Sequence, residues 1–177
     1  MEQPFDDSAK NFYQRFFVDL GMRTRAQHEV FSRSRAIDLL VECAVADLPK
    51  LYETVFAHFR RVNALEFKGI HDPLTAVDFN RIMMRAWGIG VRDLPQQDKA
   101  INENNTAAAE PDSNTRYLKT QEIAETPRQR TVTIVCVTRP QKILDTLQRE
   151  FAFTATNEAG NYCNNDDRMP VWIIHPT

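Results

Sequence analysis

A chain of 177 residues that is 42% hydrophobic and 10% aromatic carries enough apolar material for one core but hardly for two, so residues 1–177 are expected to form a single domain. Its 22 basic and 24 acidic residues nearly cancel to a net charge of -2, which excludes a global basic field of the kind that attracts nucleic acid non-specifically. No apolar run approaches the ~20 residues a membrane helix needs, and the acidic opening Met-Glu-Gln-Pro-Phe-Asp-Asp lacks a signal-peptide profile, so a cytoplasmic protein without a membrane partner is expected.

After a polar opening, Phe12, Phe16, Phe17 and Leu20 recur at helical intervals and Gly21 closes the segment. Met22 to Phe31 alternates small or apolar side chains with Arg23, Arg25, Gln27 and Glu29, the period of a half-buried strand. A turn over Ser32 to Arg35 leads into Ala36 to Cys43, a strand apolar enough to be covered on both faces. The spacing of Leu51, Val55, Phe56 and Phe59 predicts a helix over Leu48 to Arg61, followed by a strand over Val62 to Lys68 that Gly69 ends. Thr75 with Asp78 three positions on reads as a capped helix start, continued by Phe79, Ile82, Met83 and Trp87. Residues 92–129 are rich in Asn, Gln and Ala and are expected to be a flexible insertion. A β-rich run from Thr131 to Thr138, a helix from Pro140 to Glu150, a loop or hairpin over Asn157 to Asp167 and a closing strand over Val171 to Ile174 complete the order.

Two features break this pattern. Asp38 interrupts an otherwise apolar strand, and a lone carboxylate buried there is costly without a partner or a metal. In Glu66-Phe67-Lys68, the first and third side chains leave a strand on the same face. If the two strands are neighbours, three charges converge. A plain ion pair between Asp38 and Lys68 is the bland explanation. Glu29 and Glu42 could join the acids, although such residues more often face solvent. Asp72 and Asp78 read as turn and cap residues. His28, His58, His71 and His175 are scattered, and Cys43, Cys136 and Cys163 are widely spaced, so a zinc centre is not expected and the thiols should be buried and reduced.

An aspartate on one strand followed by Glu-x-Lys on the next resembles the motif of the PD-(D/E)XK nuclease superfamily, with Ile37 where the name has Pro. Asn63 to Gly69, Asp72 to Phe79, the Thr133 to Leu147 segment with Arg139-Pro140, and Pro170 to Ile174 are similar to its transposase-like, recombination-promoting branch. The resemblance covers the chain from about residue 20 onward, apart from the insertion. It implies an α/β fold with a restriction-endonuclease-like αβββαβ core, a mixed central sheet flanked by helices. It also implies metal-dependent hydrolysis of DNA phosphodiesters, with Asp38, Glu66 and Lys68 catalytic. Asp38, Glu66 and the Phe67 backbone carbonyl would hold Mg²⁺, or Mn²⁺ in its place, since a hard cation prefers oxygen donors. Lys68 would assist the attacking water or the charged transition state. Arg81, on the helix after Glu-x-Lys, and Arg35 are candidates for contact with the DNA backbone, Arg35 with Arg23, Arg25 and Arg33 in one basic cluster. The alternative is an inactive copy of the fold that binds nucleic acid or a protein. A third reading is an oligomerisation scaffold, a homodimer for example, using Trp87, Trp172 or the closing strand.

Overall fold

The polar opening is helical rather than a tail: α1 runs Pro4–Asp19 in the computed structural model, which describes residues 4–28, 36–89 and 127–176. Pro4 suits a first helical turn, where its missing N–H is not needed. The face turned to the core is Ala9, Tyr13, Phe16, Phe17 and Leu20, with Phe17 buried and the others half-buried, while Phe12, grouped with that face on spacing alone, is 65% exposed. Gly21 ends the helix at φ 85°, a left-handed conformation that glycine adopts without a Cβ penalty. Its N–H donates to Val18 and that of Met22 to Phe17, the paired bonds that satisfy the last helical carbonyls.

Among the described residues, seven strands form one mixed sheet in the order β1-β2-β3-β4-β7-β6-β5. They are β1 (Arg23–His28), β2 (Ile37–Glu42), β3 (Val62–Lys68), β4 (Arg130–Cys136), β5 (Thr154–Ala155), β6 (Asn161–Cys163) and β7 (Val171–Ile174). β3, β4 and β7 are parallel neighbours and the other pairings are antiparallel. Parallel neighbours need crossovers, which helix α2 (Ala76–Trp87) supplies between β3 and β4 and helix α3 (Gln141–Phe151) after β4. The chain is therefore α/β, and among the described residues its first six helices and strands, the two 3₁₀ segments apart, run αβββαβ.

The sheet is covered on both faces, as the apolar runs of β2 and β4 require. On one side Leu40, Ala64, Ile134 and Ile173 meet Phe79, Ile82 and Ala86 of α2 and Ile143, Leu144 and Leu147 of α3. On the other, Leu39, Val41, Leu65 and Phe67 meet Phe17 of α1 together with Leu51, Phe56 and Phe59. Those last three residues do not lie on the helix expected over Leu48 to Arg61. The segment is a 3₁₀ helix, Val45–Leu51, with Pro49 inside it, followed by turns. Its backbone bonds span three residues: Tyr52 to Pro49, Thr54 to Leu51, Ala57 to Thr54 and Phe59 to Phe56. Pro49 cannot extend an α-helix, and the Thr54 hydroxyl competes by bonding the Leu51 carbonyl and the Phe56 N–H. A three-residue repeat of apolar side chains buries one face as well as a helix does, which is why the spacing misled.

All three cysteines are free and buried. No helix among the described residues is long and apolar enough to cross a membrane. The insertion expected over 92–129 lies outside the described residues, except for the short 3₁₀ turn Pro127–Gln129 that leads into β4. Trp172 is stacked on His58 with ring centroids 4.1 Å apart, whereas Trp87 is 43% exposed.

Candidate functional site

The pairing of β2 with β3 begins at Leu39 opposite Leu65, so Asp38 and Glu66 are the first residues beyond it. Strict alternation fails at Asp38: Ile37 packs into the α2/α3 core and Leu39, two residues on, into the other. The Asp38 carboxylate does not follow either face. One oxygen accepts the Phe67 N–H at 3.0 Å, in the place a β2 carbonyl would occupy were the ladder continued, and the other meets Lys10 of α1 at 3.1 Å. Because a strand residue directs its N–H and C=O toward the same neighbour, the Phe67 carbonyl is presented to this edge as well.

Glu66 leaves β3 on the α2/α3 face and is 5% exposed. Arg85 of α2, itself buried, donates to it at 3.1 Å. Burial first, and then the charge and hydrogen bond of Asp38, hold the Glu66 carboxyl well above the ordinary carboxylate range, with Arg85 acting in the opposite direction. Two acids on adjacent strands are therefore neighbours, and burial together with Asp38 disfavours the ionised form of Glu66.

Lys68 follows on the same face. It is paired with Asp72 at 2.9 Å and lies 3.8 Å from Asp78, not against Asp38. The bland pairing of Asp38 with Lys68 is thus replaced by separate partners for each. Asp78 serves as expected at the start of α2, where its N–H donates to the Thr75 hydroxyl at 3.1 Å. Arg81, one turn further, reaches toward Asp78 at 3.8 Å and its side chain is 61% exposed. Arg35, Arg33 and Glu29 lie outside the described residues.

Glu42 is not a solvated strand residue. It is 2% exposed and is held by Arg23 at 3.5 Å and by Arg25. Four residues of strand place it about 13 Å from Asp38, too far to share an ion. The same contacts occupy Arg23 and Arg25, which had been candidates for a DNA-backbone cluster.

Spacing did not single out two residues at the site, Lys10 and Arg85. Arg85 had a legible signal: it falls in the apolar stripe Phe79, Ile82, Ala86 and Ile89, where a charge needs a buried partner just as Asp38 does. Lys10 gave no signal because it precedes the helical spacing that starts at Phe12, within a polar opening where a lysine is unremarkable.

Among the described residues, no group of three or more His, Cys, Asp or Glu side chains is arranged to hold a metal. What the site offers is two neighbouring carboxylates and one backbone carbonyl at the same edge. An all-oxygen set of that size fits a hard cation such as Mg²⁺, which keeps several waters, better than it fits zinc. Comparison of this chain with protein-family models, curated proteins and solved structures finds no match.

Proposed function

We propose that this chain is a metal-dependent phosphodiesterase acting on DNA, with Asp38 and Glu66 as the cation-holding acids and Lys68 as the basic partner. The observation that carries the reading is the Asp38 carboxylate bonded to the Phe67 backbone at 3.0 Å, which fixes it beside Glu66 at the open end of β2. The element order agrees with a restriction-endonuclease-like core. Mg²⁺ or Mn²⁺ held there, with help from the Phe67 carbonyl, would supply Lewis acidity and lower the pKa of a bound water.

The protein's own groups do the rest. Asp38, anchored on backbone, offers its oxygens in a fixed direction. Glu66 is oriented by Arg85 and loses its proton more readily as positive charge approaches. Lys68, 11% exposed along its side chain, holds an ammonium on the Glu66 face, where it can orient a water or balance charge on phosphate. Arg81 is free to reach a strand backbone from the helix above, and Arg35 is assigned the same role on sequence grounds.

A second reading has its own support. Lys10 and Arg85 already neutralise the two acids, an arrangement that suits a nuclease fold retained as a binding module for nucleic acid or protein. Incubation of purified protein with plasmid DNA and Mg²⁺ separates the two. Cleavage is expected, reduced by about 100-fold or more in Glu66→Ala. Equal cleavage by that variant removes the assignment, and DNA binding without cleavage or Mg²⁺ uptake favours the module.

A further inference from the structure

β3 and β4 are parallel and end at the same edge of the sheet, so the helices that follow them begin near one another. Between the first turns of α2 and α3 lies a cavity of about 540 Å³, within the range of sites that take a small organic ligand. Asp38 and Glu66 do not line it; Lys68 does, and is the residue it shares with the acid pair. Its walls are of two kinds. Leu74, Pro140 and Ile143 give apolar surface, while Arg139 and Lys142 join Lys68 as cations, and no acidic residue lines the space.

The cations differ in what already holds them. Lys68 is engaged by Asp72 and Asp78, but no acidic partner of Arg139 or Lys142 occurs among the described residues. The two helix starts differ too: Thr75 caps α2, whereas α3 has no side-chain cap. Uncompensated positive charge thus collects on the α3 side of an apolar cleft, and this combination suits a flat ring system that carries an anionic group.

We propose that this cavity seats a single nucleotide, its base against Leu74, Pro140 and Ile143 and its phosphate toward Arg139, Lys142 and the first turn of α3. The choice of a nucleotide over other flat organic anions rests on the phosphodiesterase reading, because Lys68 would then stand between the seated nucleotide and the acid pair.

Titration of the full chain with thymidine monophosphate in EDTA, followed by calorimetry or NMR, tests the seat without metal or turnover. Saturable binding is expected, weakened about tenfold or more by Arg139→Ala and Lys142→Ala together, since each removes a charge-assisted hydrogen bond. Ala76→Trp, at another exposed lining position, is expected to abolish binding by filling the cleft. Glu66→Ala should bind the nucleotide as the wild type does. The seat is overturned if no saturable binding occurs, or if inorganic phosphate binds as tightly as the nucleotide and Ala76→Trp changes neither. Nucleotide binding with these sensitivities but no Mg²⁺-dependent cleavage keeps the seat and removes the phosphodiesterase.

Discussion

The two ends of β2 each bury a carboxylate, and they solve the problem differently. At Glu42 one acid meets two arginines from the neighbouring strand, whose side chains remain about one third exposed. At the other end two acids, Asp38 and Glu66, are neighbours, and each has one cation brought from a different helix, Lys10 from α1 and Arg85 from α2. The first arrangement is complete within the sheet and has positive charge to spare. In the second, like charges are brought together at a break in the ladder, where one strand N–H and a cation from each of two helices hold them. A buried acid is thus no sign of a site by itself. The sign is a second acid beside it where a single cation could serve both.

The largest effect that would test this contrast is on Arg85. Its removal in Arg85→Ala leaves Glu66 buried beside Asp38 with no guanidinium, and breaking a buried pair in this way costs about 3–5 kcal/mol, measured by urea unfolding. If the acid pair is a cation site, millimolar Mg²⁺ should restore part of the loss in the variant and stabilise the wild type less. A cost below about 1 kcal/mol would mean that Arg85 is dispensable to Glu66 and that the pair is closer to a surface bridge.

How much of this was legible depended on whether a charge interrupts a pattern. Asp38, Glu66 and Lys68 stood out because a strand of otherwise apolar residues gives no cheap place to a carboxylate, and β2 and β3 are indeed adjacent. Their partners were harder to see. Sequence gives the face a residue shares but not which helix end passes over it, so Lys68 was set against Asp38 when Asp72 and Asp78 are its neighbours. Arg85 was as anomalous on its helix as Asp38 on its strand, yet only Arg81 was named there, because the resemblance implies a basic residue on the helix after Glu-x-Lys. The segment after β2 shows the limit of periodicity: successive three-residue turns and a helix bury apolar side chains at similar intervals, and only Pro49 distinguished them.

The next effect concerns pH, which would otherwise blur any comparison of the two acid sites. His58 stacks on Trp172 and shares a hydrogen bond with Thr133 at 2.9 Å. Burial pushes its imidazole down to about 3, against a weaker raising effect of the Val55 backbone. The folded state therefore holds His58 neutral while the unfolded chain protonates it near pH 6.5, so stability falls as pH drops below that value and continues to fall toward 3. From pH 7 to pH 5 the loss from this one residue is about 2 kcal/mol. His58→Phe keeps the stacked ring and should remove that part of the acid sensitivity in unfolding curves. An unchanged pH profile would assign it to the carboxylates instead.

A smaller change moves the helix that carries Arg85. Thr75 accepts the Asp78 N–H and donates to its carboxylate at 2.6 Å, so Thr75→Ala removes the cap of α2 and is expected to cost about 1 kcal/mol. Because Asp78 also faces Lys68, the same variant should lower cleavage by more than its stability loss explains, seen as a fall in kcat at a temperature where the protein is fully folded. Retained kcat would place the Thr75 and Asp78 pair in the fold alone.

The smallest expected effect lies at the Glu42 end, and its size is what gives the comparison meaning. Arg23→Ala removes a partner at 3.5 Å whose side chain is 34% exposed, while Arg25 remains bonded to the same carboxylate. Solvent screens a pair so placed, and the loss in urea unfolding should be about 0.5 kcal/mol or less, with cleavage unchanged. The gap of roughly 3 kcal/mol or more between Arg85→Ala and Arg23→Ala follows from the exposure of Arg23 and from the second arginine left on its acid, since both variants remove a guanidinium from a buried glutamate. If Arg23→Ala proved as costly as Arg85→Ala, the two ends of β2 would be equivalent, and the acid pair would lose its claim to be anything other than a second structural bridge.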